Sequence, residues 1–202
     1  MLGEASRTLF GCFCHQDPTT LMAVGGELVH LCPRCIGLHL GFTLAFAAGL
    51  IRFRRGLILS RTRPRFVLVL AVASLGFDWG VGGHLGLYEP TDLSRLITGL
   101  ACGSALALFL TAYRTGLWSI SYGTSRGAST LAVSGIVAVS MTLGTIAVAV
   151  SGWTLLTTLC AACVAANITL VLNTAVRMVR VRVRAARLAH RGGESFSEGG
   201  AR

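Results

Sequence analysis

The sequence is poor in charged residues and contains no lysine. Only 13% of its 202 residues are charged, roughly half of the share of about 25% that is usual in a soluble domain. A soluble fold needs polar side chains to cover its surface, but 53% of these residues are hydrophobic and the mean hydropathy is +0.68. The composition therefore excludes an ordinary soluble globular domain. The sequence also lacks a nucleotide-binding loop.

The apolar residues are grouped into five blocks of bilayer-spanning length. A spanning helix needs about 20 mostly apolar residues, because the hydrocarbon core is about 30 Å thick and a helix rises about 1.5 Å per residue. The blocks cover residues 33–51, 65–85, 93–113, 129–150 and 153–176. We predict an all-α polytopic membrane protein with about five transmembrane helices and a small N-terminal Cys/His β-hairpin on its outer face.

Three regions follow from these blocks. Residues 1–32 form an N-terminal, extracytoplasmic Cys/His segment, residues 33–178 form the five-helix transmembrane domain, and residues 179–202 form a basic tail. After Gly192 the tail is rich in Gly, Ser and Glu, and we expect this end to be disordered.

Arginine is distributed unevenly between the two sides that five spans would create. Residues 52–65, residues 114–127 and the tail share one side and hold 15 of the 18 arginines, whereas the other side holds Arg7, Arg34 and Arg95. The positive-inside rule predicts that the arginine-rich side is cytoplasmic. The N-terminus would then lie outside the cell membrane and the C-terminus inside the cell.

The net charge of +10 suits a membrane surface better than a nucleic acid. The tail is a juxtamembrane basic segment of the kind that meets anionic lipid headgroups. We expect membrane lipids as partners, with anionic headgroups at the arginine-rich face, and no nucleic acid. The sequence carries no signal for an oligomeric state.

A β-hairpin is predicted ahead of the first transmembrane helix. Two apolar stretches flank Gly25 and Gly26, and glycine supplies the positive φ that a tight turn needs. Such a hairpin would return Cys32 and Cys35, which have the Cys-x-x-Cys spacing, to the neighbourhood of Cys14.

These cysteines and the histidine beside them form a candidate metal site. Zinc takes four nitrogen or sulfur ligands in a tetrahedron, which Cys14, His15, Cys32 and Cys35 can supply. His39 lies four residues after Cys35 on the same helix face, so it is an alternative ligand or a group that supports one. The sequence therefore predicts zinc or another transition metal.

Two other interpretations of the cysteines stay open. On the oxidising side of a membrane, two nearby cysteine pairs form structural disulfides in many proteins. Cys12 and Cys14 together with Cys32 and Cys35 also resemble a redox relay, because Pro33 gives a Cys-Pro-x-Cys sequence found in redox-active motifs.

Asp78 is the most unusual polar residue, because it falls within the outer half of the second predicted span. A carboxylate at that depth costs several kcal/mol unless it is paired, protonated or hydrated. The glycines that follow it predict that the helix loosens there. One interpretation is an ion pair of Asp78 with Arg95 that joins two helices. The other is a polar pocket of Asp78, His84, Glu89 and Arg95, with Asp78, Glu89 and Arg95 as candidate catalytic residues.

Two glycine pairs predict close helix packing. Gly37 and Gly41, like Gly99 and Gly103, have the Gly-x-x-x-Gly spacing that lets helix backbones approach each other in lipid.

Other polar residues lie inside the apolar blocks. Cys102, Cys160 and Cys163 are expected to be small core residues. Asn167 and Asn173 are expected to form hydrogen bonds between helices.

The chain resembles a family of prokaryotic membrane proteins labelled domain of unknown function 2085. The resemblance rests on motifs in order over roughly residues 12–103, which are Cys14-His15-Gln16, Cys32-Pro33-Arg34-Cys35-Ile36-Gly37, Asp78, Glu89, and Arg95-Leu96-Ile97-Thr98-Gly99 with Gly103. It implies a membrane fold and the location of the site. It implies no chemistry, because the label carries no established activity.

Three functions follow from these residues. The first is a metal site, structural or catalytic, next to a polar pocket that acts on a lipid or another membrane substrate. If it is catalytic, Asp78 or Glu89 would be the base and Arg95 would hold an anionic headgroup. The second is a membrane thiol–disulfide oxidoreductase. The third is a transporter, flippase or assembly factor with Asp78 on a substrate or proton path.

Overall fold

The computed structural model describes residues 2–12, 14–16, 20–53, 57–58, 62–122, 126–127 and 130–197. The helices in chain order are α1 (Leu2–Gly11), α2 (Pro33–Arg52), α3 (Thr62–Phe77), α4 (Asp92–Tyr122), α5 (Thr130–Val150) and α6 (Trp153–Ser197). Strands β1 (Met22–Val24) and β2 (Glu27–Val29) pair antiparallel, and strands β3 (Leu57–Ile58) and β4 (Arg126–Gly127) pair parallel.

Five of these helices are long and apolar enough to cross a membrane, which confirms the predicted fold class. The spanning segments found in the described part of the chain are Pro33–Arg52, Arg65–Gly82, Asp92–Arg114, Thr130–Val150 and Trp153–Arg184. Each overlaps one predicted block. The agreement arises because spanning a bilayer is a requirement of length and hydropathy that each segment meets by itself.

The N-terminal segment contains the predicted hairpin and one helix that the sequence did not predict. Strands β1 and β2 pair around a turn in which Gly25 and Gly26 have φ values of 63° and 86°. This is the left-handed conformation that glycine adopts without a steric penalty. Helix α1 precedes the hairpin, and it ends where the backbone N–H of Cys14 donates to the carbonyl of Phe10 at 2.9 Å.

The core of the membrane domain is a parallel pair formed by α2 and α4. A Cβ atom built on Gly41 would lie 2.4 Å from the carbonyl oxygen of Leu100, and one on Gly103 would lie 2.1 Å from that of Leu38. Real Cβ atoms do not approach so closely, so the two backbones are in direct contact. Ser104 also donates from its hydroxyl to the carbonyl of Gly41 at 3.3 Å. Both glycine pairs therefore serve the packing role that their spacing predicts.

Helix α3 ends in an unusual way beside this pair. From Asp78 to His84 the chain continues as a π-helix, and the N–H of Leu85 donates to the carbonyl of Gly80 at 2.9 Å. A π-helix is wider than an α-helix and is rare except as a short segment, frequently at a functional site. The predicted loosening after Asp78 is thus a change of helix type.

Two loops meet at the far end of the bundle from the hairpin. The pairing of Leu57 with Arg126 and of Ile58 with Gly127 joins the loop after α2 to the loop after α4. Both loops belong to the arginine-rich set that the sequence assigns to one side.

Helix α6 is longer than its predicted span. It continues without a break to Ser197, through Gly192, where the sequence predicted disorder. The arginines and alanines of this stretch favour helix, and no proline interrupts it. The final residues, 198–202, lie outside the described part of the chain. By compactness the chain divides into two units, Met1–Asn167 and Ile168–Arg202.

Candidate metal centre and its polar neighbours

Three cysteine thiols from two separate segments meet at the end of the bundle where α2 begins. The sulfur atoms of Cys14, Cys32 and Cys35 all lie within 4.8 Å of one another. We call these three residues the thiol cluster. Cys14 follows α1, and the other two lie at the first turn of α2, which begins with Pro33 because proline is well suited to the first position of a helix. The sulfur of Cys14 also accepts the backbone N–H of Cys32 at 3.5 Å.

The thiols of the cluster have unequal acidities. The thiols of Cys32 and then of Cys35 donate hydrogen bonds to the sulfur of Cys14, and these lower the pKa of Cys14 to about 2, although burial opposes the shift. The pKa of Cys32 is raised, chiefly because its proton is held by the sulfur of Cys14. The sulfur of Cys14 is therefore the shared acceptor of the cluster, an arrangement in which a cation can replace the shared protons.

A glutamine holds the N-terminal segment in the position that presents Cys14. The side-chain nitrogen Nε2 of Gln16 donates to the carbonyls of Arg7 at 2.8 Å and His30 at 3.2 Å, which connects α1 to the end of the hairpin. Gln16 has a φ of 52°, a conformation that few non-glycine residues adopt. Its place directly after Cys14-His15 was the only sequence signal for this role.

The hairpin is fastened to the start of α6 as well. The indole nitrogen Nε1 of Trp153 donates to the carbonyl of Leu28 at 3.0 Å. The hairpin that returns the chain from Cys14 to Cys32 is therefore fixed through the middle of β2 as well as at its base.

The two histidines predicted as ligands lie outside the thiol cluster. Neither His15 nor His39 places a ring nitrogen within 4.8 Å of all three sulfurs. His15 is exposed, and it follows Cys14 where the chain turns away from α1. Cys12, part of the redox-relay interpretation, is exposed too, and its sulfur donates to the carbonyl of Thr8 at 3.9 Å. Within the described residues the structure contains no disulfide.

His39 also belongs to a buried polar cluster between α2 and α6, and its predicted role as an alternative ligand or supporting group stays a prediction. Its ring nitrogen Nδ1 lies 3.3 Å from Nδ2 of Asn167, which also donates to the carbonyl of His39 at 3.2 Å. The hydroxyl of Thr43 lies 3.0 Å from Oδ1 of Asn167 and is placed to donate to it. The predicted interhelical role of Asn167 is thus realised. Asn173 is exposed.

Asp78 is almost completely buried, at 1% exposure, and its ion-pair partner is Arg34. The Nε and Nη2 atoms of Arg34 both donate to Oδ2 of Asp78, the first at 3.0 Å. The hydroxyl of Tyr88 donates to Oδ1 at 2.7 Å. Both oxygens of this carboxylate are therefore satisfied, which accounts for a charge at this depth. The sequence interpretation paired Asp78 with Arg95. The partner differs because α2, rather than the start of α4, presents its guanidinium to the π-helix.

Glu89 and Arg95 lie beside this network. Glu89 is exposed, and Arg95 is half-buried in the first turn of α4. The hydrogen bond to Asp78, followed by burial and the charge of Asp78, raises the pKa of Tyr88, whereas the charges of Arg34 and Arg95 lower it. Arg95 is thus close enough to act on the Tyr88 hydroxyl. His84, the remaining residue of the predicted pocket, is the last residue of the π-helix.

Sequence reasoning did not assign a role in the site to Arg34 or Tyr88. Arg34 belongs to the Cys-Pro-Arg-Cys motif that carries the family resemblance, but the motif does not indicate that its side chain binds Asp78. Tyr88 lies in a loop without a recognisable motif. The one available signal was the glycine-rich stretch before it. In the structure, Gly82 makes room for this loop, because a Cβ there would lie 2.9 Å from the ring of Tyr88 and 2.6 Å from Pro90.

The spanning helices define the class as an integral membrane protein with several transmembrane segments. Residues 14–109 match the family model described as "Predicted membrane protein (DUF2085)", which confirms the resemblance over this segment. The matched segment begins at Cys14 and contains the whole thiol cluster, Arg34, Asp78, Tyr88 and Arg95. No curated protein and no solved structure matches the chain.

Proposed function

We propose that this membrane protein binds a transition metal, zinc by preference, through the thiolates of Cys14, Cys32 and Cys35. The observation that carries the proposal is that three sulfurs from two distant segments lie within 4.8 Å of one another. Zinc–sulfur bonds of about 2.3 Å in a tetrahedron separate the sulfurs by about 3.8 Å, so this spacing suits the ion. Thiolates select zinc or copper(I) over magnesium and calcium.

The ligand set favours a structural or ligand-exchanging centre over one that activates water. Three thiolates more than neutralise a divalent ion, so the ion polarises a bound water less than zinc held by histidines does. When bound, the metal would fasten Cys14 in the N-terminal segment to the first turn of α2. Among the described residues, the thiol cluster supplies three ligands, and His15 and His39 lie outside it.

Metal analysis of the purified full-length protein tests this proposal. We expect about one zinc ion per chain in the unmodified protein, and a loss of most of it in Cys14→Ser, Cys32→Ser and Cys35→Ser. The matched control is Cys12→Ser, because Cys12 lies two residues from Cys14 but its sulfur contacts the carbonyl of Thr8. Far less than one metal ion per chain in the unmodified protein, or equal losses in the control, would contradict the proposal.

The proposal extends to a membrane substrate with an anionic group. Arg95 lies in the first turn of α4, where its positive charge acts on the hydroxyl of Tyr88, while Arg34 is already paired with Asp78. A phosphate-bearing lipid headgroup is a ligand that arginine recognises, so Arg95 is the residue proposed to hold it. Both oxygens of Asp78 already accept hydrogen bonds, which leaves the exposed Glu89 as the candidate base.

Lipid retention tests this extension. The purified protein should retain phosphatidylglycerol in preference to phosphatidylcholine, and Arg95→Gln should reduce that preference. Equal retention of the two lipids by the unmodified protein would remove the anionic substrate while leaving the metal site in place.

A thiol–disulfide oxidoreductase is the second candidate function. It is favoured by the lowered pKa of Cys14, because the thiolate is the form that attacks a disulfide. Thiol trapping in intact cells distinguishes the two candidates. A mixture of reduced and disulfide forms of Cys32 and Cys35 supports redox chemistry, and a single reduced form that a chelator makes reactive supports the metal centre.

The arginine-rich end is proposed to face the cytoplasm and to meet anionic headgroups there. The pairing of β3 with β4 supports the assignment of the two interhelical loops to one end. Helix α2 runs from the thiol cluster to Arg52, so the cluster lies at the opposite end of that span. Reporter fusions after Arg52 and before Cys14 should report opposite sides of the cell membrane, with Cys14 outside.

A further inference from the structure

Arg34 lies between Cys32 and Cys35 of the thiol cluster, and contacts fix both its side chain and its backbone. Its side chain, which is 20% exposed, forms the ion pair with Asp78. Its backbone is in direct contact with α4, because a Cβ on Gly99 would lie 2.2 Å from the carbonyl oxygen of Arg34. The turn that carries Cys32 and Cys35 is therefore held in place by contacts with both α4 and the π-helix.

Asp78 is itself fixed from three directions. The π-helix sets the position of its backbone, Arg34 donates to one oxygen, and Tyr88 donates to the other. Tyr88 reaches this position because Gly82 leaves room for its ring, and the ring stacks on that of Phe77 with a centroid separation of 6.4 Å. A carboxylate held in this way is a rigid anchor for a guanidinium group.

This anchoring bears on metal binding through the geometry of the turn. A Cys-x-x-Cys turn binds an ion well only when both sulfurs point at the same place, and any freedom of the residue between them loosens that arrangement. Arg34 is the residue that precedes Cys35, so fixing its guanidinium and its carbonyl fixes the direction of the sulfurs towards Cys14. In other metal sites, groups that orient the ligands change the metal affinity about 10–100-fold when they are removed.

We propose that Asp78, Arg34 and Tyr88 form a positioning unit for the metal centre, in which Asp78 acts through Arg34 to hold Cys32 and Cys35 facing Cys14. This inference rests on the proposed metal binding. It gives Asp78 a role as a positioning residue in place of a base or a proton carrier. The Cys-Pro-Arg-Cys turn, Asp78 and Gly99 thus meet at one place, since the turn contains Arg34 and the other two contact it.

Metal affinity measured by chelator competition on the full-length protein tests the inference. Asp78→Asn keeps the size of the side chain but removes its charge, and it should weaken zinc binding by about 10–100-fold. Arg34→Lys keeps the charge but loses the planar fork, so it should weaken binding to a similar extent. Tyr88→Phe removes one hydrogen bond and should have a smaller effect. The matched control is Asp92→Asn, an exposed acid in the first turn of α4, which should bind zinc as the unmodified protein does.

Two further readouts separate positioning from general loss of structure. The cobalt(II)-substituted protein has sulfur-to-cobalt charge-transfer bands, and these should shift in Asp78→Asn while the helical content by circular dichroism stays unchanged. The double variant Arg34→Lys with Asp78→Asn should bind no more weakly than the worse single variant, because both changes break the same contact. If Asp78→Asn does not fold, Tyr88→Phe decides the question through the same measurements.

The outcomes distinguish this inference from the proposed function. If the unmodified protein binds one zinc ion and both Asp78→Asn and Tyr88→Phe bind it equally well, the positioning unit is wrong and the metal centre stands. If the unmodified protein binds no metal, the proposed metal centre and the positioning unit are both wrong. If Asp92→Asn weakens zinc binding as much as Asp78→Asn does, the effect comes from surface charge. That outcome would also overturn the inference.

Discussion

Helix α2 is held by two neighbours in two different ways. On one side its backbone is in direct contact with the backbone of α4, at Gly37 and Gly41. It also meets α6 through polar side chains, with Asn167 contacting His39 and Thr43. The first contact lies within the matched family segment of residues 14–109, and the second includes a residue beyond it.

The difference shows what each kind of contact can determine. Backbone contact at glycines tolerates almost no change in distance or register, so it fixes where α2 and α4 begin relative to each other and thereby places Arg34 and the thiol cluster. Polar side-chain contacts in a membrane contribute less, averaging about 0.6 kcal/mol each and reaching about 1.7 kcal/mol, because the separated helices find other partners. The site therefore depends on the first contact more than on the second.

The largest effect should come from filling the glycine contact. Gly103→Leu would place a Cβ 2.1 Å from the carbonyl oxygen of Leu38, and neither backbone can move without separating the helices. We expect a loss of about 3 kcal/mol or more of folding free energy, seen as a large fall in the thermal midpoint in detergent and as aggregation on size exclusion. The control is Gly135→Leu on α5, where a Cβ would have no atom within 4 Å. Equal stability of the two variants would refute the backbone contact.

An intermediate effect is expected from removing the polar contact. Asn167→Ala leaves the hydroxyl of Thr43 and the ring of His39 without this partner, and we expect a loss of about 1 kcal/mol. Chemical denaturation in mixed micelles measures it, with Asn173→Ala as the control because Asn173 is exposed on the same helix. Zinc content should stay unchanged in both variants. A loss of zinc in Asn167→Ala would mean that α6 supports the metal centre after all.

The smallest effect should come from the tie between the hairpin and α6. Trp153→Phe keeps the aromatic ring but removes the N–H that donates to the carbonyl of Leu28. We expect a loss of about 0.5–1 kcal/mol that is confined to the hairpin. Hydrogen exchange should show faster exchange in residues 22–29 and no change in α2 or α4. Faster exchange throughout α4 would show that this bond supports the whole bundle.

The spanning helices and the hairpin were predictable because each follows from its own residues. Hydropathy and length determine a span, and Gly25 and Gly26 determine a turn, without reference to distant parts of the chain. The cysteines of the thiol cluster were predictable for a related reason, since a hairpin of known length returns Cys32 towards Cys14.

The partners of the buried polar groups were not predictable in the same way. Asp78 pairs with a residue 44 positions away, and His39 meets one 128 positions away. Which arginine reaches Asp78 depends on which helices lie side by side and on how the π-helix turns. Neither can be inferred from the residues around Asp78. Helix α1 was not predicted, because its ten residues are too few for the length and hydropathy that identify a span.

The parallel arrangement of α2 and α4 has a consequence for how the protein is made. Gly41 meets its partner on a helix that is synthesised about 60 residues later, so the glycine face of α2 has no protein neighbour while α3 is emerging. At about 5–20 residues per second, translation leaves this interval at about 3–12 seconds. During that time lipid or the insertion machinery covers the groove, and the chain acquires its membrane core only when the ribosome has delivered α4.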